Sequence, residues 1–272
     1  MPADLHIHSN FSDGLLSPEE IVRKAKDAGL TVISITDHDT VDGISAAIAE
    51  GEKIGVKVIP GIEFTTDMPD TEIHILGYYI DHKAKWLQEL LSKIREDRKN
   101  RIHKIVDKLQ GLGIKINAEE VLGLAEGGSA GRPHVARMLI QKGIVKNIPE
   151  AFNRYLVNGA PAYVPHFRLT PVEAVQTIIK AGGIPVFAHP AVSNTDGMIP
   201  ELMAKGLAGI EVFYGKNSDS QVKHYRALAE KYGLLMTGGS DFHGFGTGRD
   251  VSMGDAQLPD DRIKAMEEYL KK

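Results

Sequence analysis

The first third of the chain alternates short apolar runs rich in β-branched residues with amphipathic helical patterns, and few folds other than βα units wound on a parallel sheet accept that rhythm. Ala3–Ile7 reads as the first strand. Ser17-Pro18-Glu19-Glu20 then supplies an N-cap, a proline suited to the first helical turn and a Glu at the third position, opening a helix that stops near Gly29. Residues 31–36 form a second strand, Ile44–Ile54 a second helix, residues 56–62 a third strand and residues 72–79 a fourth. From Lys83 the rhythm breaks into a long charged helix reaching about Gln110, then a Gly-rich stretch and short helical pieces up to about Tyr163. It resumes at Thr170-Pro171-Val172-Glu173, a second helix-start signal, with strands at residues 184–188, 209–213 and 234–237 and a last helix from about Asp260. About seven strands result. The stretch 83–163 is an α-helical insertion between barrel segments 1–82 and 164–272, because several βα repeats would otherwise be missing there.

Composition narrows the chemistry. The absence of cysteine removes disulfides, thiolate nucleophiles and Cys-based metal sites, so any metal must be held by His, Asp and Glu. With 32 Lys and Arg against 36 Asp and Glu, the formal charge of −4 provides no global basic field for a polyphosphate backbone, so a phosphate must be gripped locally. No apolar run approaches a membrane span and the start lacks a basic segment followed by an apolar stretch, so the expectation is a cytoplasmic enzyme away from membranes.

The histidines are the informative residues. His6 and His8 end the first strand, His38 the second, while His189 and His243 follow later strands. Carboxyl ends of parallel strands emerge on one face, where α/β folds place their ligands. Residues two apart in a strand point the same way, so His6 and His8 can offer two imidazoles to one ion, although such a pair also occurs on solvated strands. Taken singly, Asp13 is an ordinary turn residue, Asp37-His38-Asp39 a solvated loop, Glu63 a strand-end acid and His74 a satisfied core histidine. Their joint occurrence with His189 and with Asp241-Phe242-His243 at one rim changes the balance. His6, His8, Asp13, His38, Glu63, His74, His189, Asp241 and His243 are more ligands than one ion can use, which implies two or three divalent ions with Glu63 as a bridge.

His6-x-His8, Asp37-His38, Glu63, His74, Ala188-His189-Pro190 and Ser240-Asp241-x-His243 resemble, in order and spacing, the successive motifs of the polymerase and histidinol phosphatase (PHP) family, over nearly the whole chain. The resemblance implies a distorted (β/α)7 barrel and a trinuclear centre of manganese, iron or zinc type, with manganese the first expectation, running phosphoester hydrolysis through a metal-bridging hydroxide. By spacing and family analogy, His6, His8, Glu63 and Asp241 surround one ion, Glu63, His74 and His189 a second, and Asp13, His38 and His243 a third. Glu63, Asp241, His243 and Asp37 are the residues assigned to catalysis; Asp37 and Asp39 can orient ligand imidazoles or protonate a leaving oxygen, or stand as solvated loop acids.

Within that family, Gly131-Arg132-Pro133-His134 followed by Val135-Ala136-Arg137, and then Pro161-Ala162-Tyr163-Val164-Pro165, look like the subgroup that hydrolyses nucleoside 3′,5′-bisphosphates and trims short RNA from its 5′ end. Arg132 and His134, at a Gly-rich loop opening a helix, are the candidates for gripping a second phosphate. Arg98 and Arg101, with Arg95, recur at three-residue spacing on the long helix and join them if the insertion folds over the barrel. His166 can also touch substrate. The partners expected are a small nucleotide or short RNA, with no obligate protein partner. The competing readings are histidinol-phosphate phosphatase, a noncatalytic metal-binding module, and a proofreading nuclease domain of a polymerase.

Overall fold

The computed structural model describes residues 2–67, 72–125, 128–165, 169–245, 251–256, 258–259 and 261–272. Seven strands, β1 (Ala3–Ile7), β2 (Val32–Ile35), β3 (Lys57–Asp67), β4 (Glu72–Tyr78), β5 (Ile184–Phe187), β6 (Gly209–Tyr214) and β7 (Leu235–Gly239), pair in sequence order. β1 to β3 are parallel, as are β5 to β7, but β4 runs antiparallel to both neighbours. The expectation of a wholly parallel sheet therefore fails at β4. Only four residues link β3 to β4, whereas a parallel crossover needs a dozen or more. β3 also runs past the expected end at residue 62, because Phe64, Thr65 and Thr66 continue the ladder against Ile75, His74 and Ile73. The reversal has a functional consequence: the first residues of β4, His74 among them, lie at the rim where the parallel strands end.

The sheet nearly closes on itself. Beyond β7, the Asp241 amide donates to the His6 carbonyl at 2.8 Å and the His8 amide to the Phe242 carbonyl at 2.9 Å, with Ile7 and Phe242 forming a parallel bridge. Gly239 makes this seam possible, since a Cβ there would sit 2.3 Å from the His6 amide nitrogen and 2.2 Å from its Cβ.

The helices are α1 (Pro18–Asp27), α2 (Ile44–Ile54), α3 (Lys85–Gly111), α4 (Ala118–Gly123), α5 (Arg132–Gln141), α6 (Ile148–Ala151), α7 (Pro171–Lys180), α8 (Pro190–Ser193), α9 (Ile199–Met203), α10 (Asp219–Tyr232) and α11 (Asp261–Tyr269); a π-helical turn spans Phe152–Leu156. The helix starts read at Ser17 and Thr170 are both closed capping boxes, with Glu20 and Glu173 returning the bond. Among the described residues no helix is long and apolar enough to cross a membrane.

Two apolar clusters matter for the site. Ile62, Phe64, Ile75, Tyr78, Phe187 and Ile210 belong to the barrel core, which Leu87, Leu91 and Ile94 of α3 also join. Ile102, Ile105 and Leu109 of the same helix pack instead with Val121, Val135, Leu139 and Leu156 in a second core. The change of partner comes between Ile94 and Ile102, within α3. Arg98 and Arg101 sit at that waist, both buried.

Closure at Gly239 is testable by urea unfolding. Gly239→Ala should cost at least about 2 kcal/mol, because the contacts lie in the β1 backbone and cannot move aside. Gly111→Ala at the end of α3, where a Cβ would meet nothing, should be neutral or slightly stabilising. Equal midpoints for the two variants would show that the seam relaxes freely.

Candidate metal centre and cleft

All nine residues expected as ligands come together at one rim. Glu63, in mid-β3 and 1% exposed, is the hub. Its Oε2 lies 3.3 Å from His6 Nε2, 3.2 Å from His8 Nε2 and 3.2 Å from His38 Nδ1; its Oε1 lies 2.8 Å from His74 Nδ1 and 3.1 Å from His189 Nε2. Asp241 Oδ1 is 3.5 Å from His6 Nε2 and 3.3 Å from His8 Nε2. Asp13, in the loop after β1, places Oδ1 3.1 Å from His243 Nε2, 3.7 Å from His8 Nδ1 and 3.9 Å from His38 Nε2.

The donor atoms fall into four overlapping groups: His8, Asp13, His38 and His243; His6, His8 and Asp241; His6, Glu63 and His189; His38, Glu63 and His74. These differ from the expected three sets: His74 and His189, expected together with Glu63, fall in separate groups, and His6, His8 and His38 each belong to two. Glu63 Oε2 and Asp13 Oδ1 are buried without a hydrogen-bond partner although nitrogens stand close by. Lone pairs that crowd a common space without bonding one another fit a cation between them, and an imidazole and carboxylate donor set without thiolate suits manganese, iron or zinc.

Electrostatics bear this out in the cation-free arrangement. Burial opposes charge on His6, yet Glu211, Glu63 and Asp241 carry its pKa well above the usual imidazole range. His8 and His74 rise to about 9 against the same burial penalty, held by Asp241 and Glu63 in the first case and by Glu63 and Glu72 in the second. Burial together with neighbouring imidazoles pushes His38 well below its usual value, although Glu63 and Asp13 pull the other way. Glu63 and Asp13 stay far below the ordinary carboxylate range despite burial, because the imidazoles surround them. Protons here occupy lone pairs for which an ion would compete.

Several supporting residues carried no motif. Glu211 in β6 is fully buried, with Oε1 3.0 Å from His6 Nδ1 and Oε2 accepting the His189 amide at 2.8 Å. Asp4, two residues before His6, accepts the amides of Ser240 and Gly254, each at 2.9 Å. The Tyr214 hydroxyl donates to Asp241 Oδ2 at 3.0 Å, and Thr65 Oγ1 lies 3.2 Å from His38 Nδ1. The signal for Asp4 and Glu211 was a lone acid inside an apolar strand, which is costly to bury unless it serves a partner. Three non-glycine residues in the left-handed region also gather here: Asp39 (φ 52°), His189 (φ 25°) and Asp241 (φ 56°).

Asp37 does not meet the ligand imidazoles as expected. It accepts from the Ser9 amide at 2.7 Å, the Ser9 hydroxyl at 2.5 Å and the Ser12 hydroxyl at 2.5 Å, so it braces the loop carrying Asp13. Burial raises its pKa. Asp39 is likewise occupied, pairing with Arg98 and accepting the Thr65 amide at 3.2 Å.

A cleft beside the centre is lined by His38, His74, Arg98, Arg101 and Arg132, with Ser129 and Phe152. Arg98 also bonds Thr65 Oγ1 at 3.0 Å, and Arg101 Nε donates to the Val164 carbonyl at 2.6 Å. Arg132, the first residue of α5, pairs with Glu72 Oε2 at 2.5 Å and lies over the Phe152 ring. His134 takes a different place from the one expected. It is fully buried, and its Nδ1 accepts the Gly131 amide at 3.1 Å, closing the start of α5. Burial lowers its pKa to about 4, so it is a neutral cap and not a cationic phosphate grip. Gly128 carries the loop against the Phe11 carbonyl, where a Cβ would come within 2.2 Å of the oxygen. Glu126, Gly127 and His166 lie outside the described residues.

Comparison with known proteins agrees with this geometry. The chain is 34% identical over 265 residues to a 5′-3′ exoribonuclease of Haemophilus influenzae, covering 94% of this chain and 96% of that one. It is 34% identical over 262 residues to a 3′,5′-nucleoside bisphosphate phosphatase of Chromobacterium violaceum, covering 91% and 90%. A solved structure assigned as a metal-dependent phosphoesterase, from Bifidobacterium adolescentis, superposes with a TM-score of 0.88 at 29% identity over 97% of this chain and 94% of that one. The PHP domain model matches residues 4–157, and by all of these findings the chain belongs to the PHP domain family.

Proposed function

We propose that this chain is a metal-dependent phosphoesterase that removes the 3′-phosphate from nucleoside 3′,5′-bisphosphates and, on the same site, trims short RNA from its 5′ end. The observation that carries the reading is a carboxylate hub among five imidazoles placed directly beside a cleft with three arginines. The names of two relatives, a bisphosphate phosphatase and a 5′-3′ exoribonuclease, point to the same substrate class.

The nine residues of the centre would hold two to three divalent ions, manganese in the first instance. Bound there, such ions would supply Lewis acidity toward phosphate oxygens and activation of water. The chain itself does the rest. His6 and His8 have no side-chain exposure, whereas His38, His74 and His189 retain 10%, 12% and 11%, so a phosphate reaches the centre from the side facing the cleft. Glu211 holds His6 by its Nδ1, which leaves Nε2 directed at Glu63 and the centre. Arg98 and Arg101, fixed at the waist of α3 by Asp39 and the Val164 carbonyl, bring positive charge to the cleft without freedom to swing away. Arg132 is placed to take the second phosphate of the substrate. Histidinol phosphate has only one phosphate and would make no use of a second anion site.

Replacing Glu63 by Gln removes the charge that balances the imidazoles. It should cost at least about 100-fold in kcat and lower the manganese bound per chain by elemental analysis, while Glu119→Gln on the surface changes neither. Matching activity and metal content in the two variants would end the hub assignment. Arg132 tests the substrate. A charge-assisted hydrogen bond contributes about 1.5–3 kcal/mol, so Arg132→Met at saturating manganese should lower kcat/KM for a nucleoside 3′,5′-bisphosphate by roughly 10- to 200-fold. A small phosphomonoester without the second phosphate should be hydrolysed as before. An equal loss for both substrates would count against bisphosphate recognition.

A further inference from the structure

One acid connects the arginine on α5 with the centre. Glu72, the first residue of β4, places Oε1 3.1 Å from His74 Nε2 and Oε2 2.5 Å from Arg132 Nη2. The other nitrogen of the same ring, His74 Nδ1, faces Glu63 Oε1 at 2.8 Å. The four side chains thus form an unbroken line from cleft to hub: Arg132, Glu72, His74, Glu63. We infer that Glu72 is a positioning residue: braced by Arg132, it fixes the ring of His74 for a metal ion.

The chemistry of imidazole supports this. A neutral ring has one N–H and one lone pair, and which nitrogen carries the proton is set by the partner of the other. A carboxylate at Nε2 favours the proton there and leaves the Nδ1 lone pair turned to the centre, while adding basicity to it. Glu72 alone would be a loose partner, since its side chain is 31% exposed at a strand end. Arg132 removes that freedom. Its guanidinium is only 16% exposed and is itself held over the Phe152 ring and against the Leu156 carbonyl at 3.3 Å, so the brace is anchored in the second apolar core. The reversal of β4 is what allows it, because Glu72 and His74 lie two apart on one face of a strand that starts at the rim.

The inference rests on the metal-centre reading above, but its test does not depend on the identity of the substrate. Manganese affinity is measured on the metal-stripped full chain by competition with a chelator, for the parent, Glu72→Ala, Glu72→Gln, Arg132→Met and the Glu72→Ala/Arg132→Met double variant. Glu72→Ala should weaken binding of the responsive ion by roughly 10- to 100-fold, and Glu72→Gln, which keeps an acceptor oxygen for His74, by less. Arg132→Met, which touches no ligand, should weaken it by about 3- to 10-fold, and the double variant should match Glu72→Ala within about twofold. Urea unfolding of each metal-free variant should remain a single cooperative transition, which separates positioning from loss of fold. The proposal is overturned if Arg132→Met leaves manganese affinity unchanged, or if the two losses multiply in the double variant. No substrate is present in these titrations. A failure of bisphosphate preference therefore leaves the coupling standing, and a failure of the coupling leaves the preference to be judged by kcat/KM.

Discussion

A carboxylate at 1% exposure, ringed by five imidazoles, is the constraint around which the rim is built. An isolated buried charge costs several kcal/mol even after relaxation, so Glu63 can stay ionised only where positive charge is supplied from several directions at once. His6, His8 and His74, whose pKa values the surrounding carboxylates raise despite burial, meet it from three directions. Those rings then carry buried charge of their own. Glu211 behind His6 and Glu72 behind His74 answer it, and they fix the rings as they do so. The result is alternating charge in layers: outer carboxylate, imidazole, inner carboxylate. A divalent cation held there would compete with protons for the imidazole nitrogens.

The barrel serves this arrangement through two departures from regularity. β4 runs backwards, so His74 joins the rim from the beginning of its strand while β1, β2, β5 and β7 contribute from or just past their ends. The seam between β7 and β1 is joined by backbone bonds at residues 241 and 242 with a glycine at 239, which aligns Asp241 and His243 with His6 and His8 across the closing edge. Left-handed backbone at Asp39, His189 and Asp241 lies just past strand ends, where side chains must be turned from the strand direction into the site.

How much of this could be read from the chain follows from the range of the forces involved. Local signals were legible: the capping boxes at Ser17 and Thr170 depend on four consecutive residues, and the structure closes both. So was the convergence of most of the nine His, Asp and Glu side chains, since carboxyl ends of parallel strands share a face whatever the helices between them do; His74 enters instead from the start of β4. Strand direction at β4 was less accessible, although the four-residue link before Glu72 carries that information. Burial was the hardest quantity. His134 and Arg132 look equivalent at the mouth of a Gly-rich loop, yet one is a neutral cap inside α5 and the other lines the cleft. Asp37, beside His38 in sequence, turns to Ser9 and Ser12 because consecutive residues after a strand point opposite ways. Asp4 and Glu211 stood in plain view as acids within apolar strands, but Ser240 for Asp4 and His6 for Glu211 lie more than 200 residues away.

The long helix α3 shows why recognition and chemistry meet in one place. Its first half belongs to the barrel core and its second half to the separate core of residues 102–164, so the two packing units share a rigid element and not a flexible strand of chain. The arginines at the change-over cannot be satisfied by either core. Arg98 reaches back to Asp39 and Thr65 at the rim, and Arg101 reaches forward to Val164 where the chain returns to the barrel. Cations that must be buried at a junction are stable only when acceptors from both sides meet them, and the two arginines so held line the cleft. The positive charge of the cleft is thus a by-product of how the two cores are fastened together, and Arg132, fastened through Glu72 to His74, repeats the same principle one layer closer to the centre.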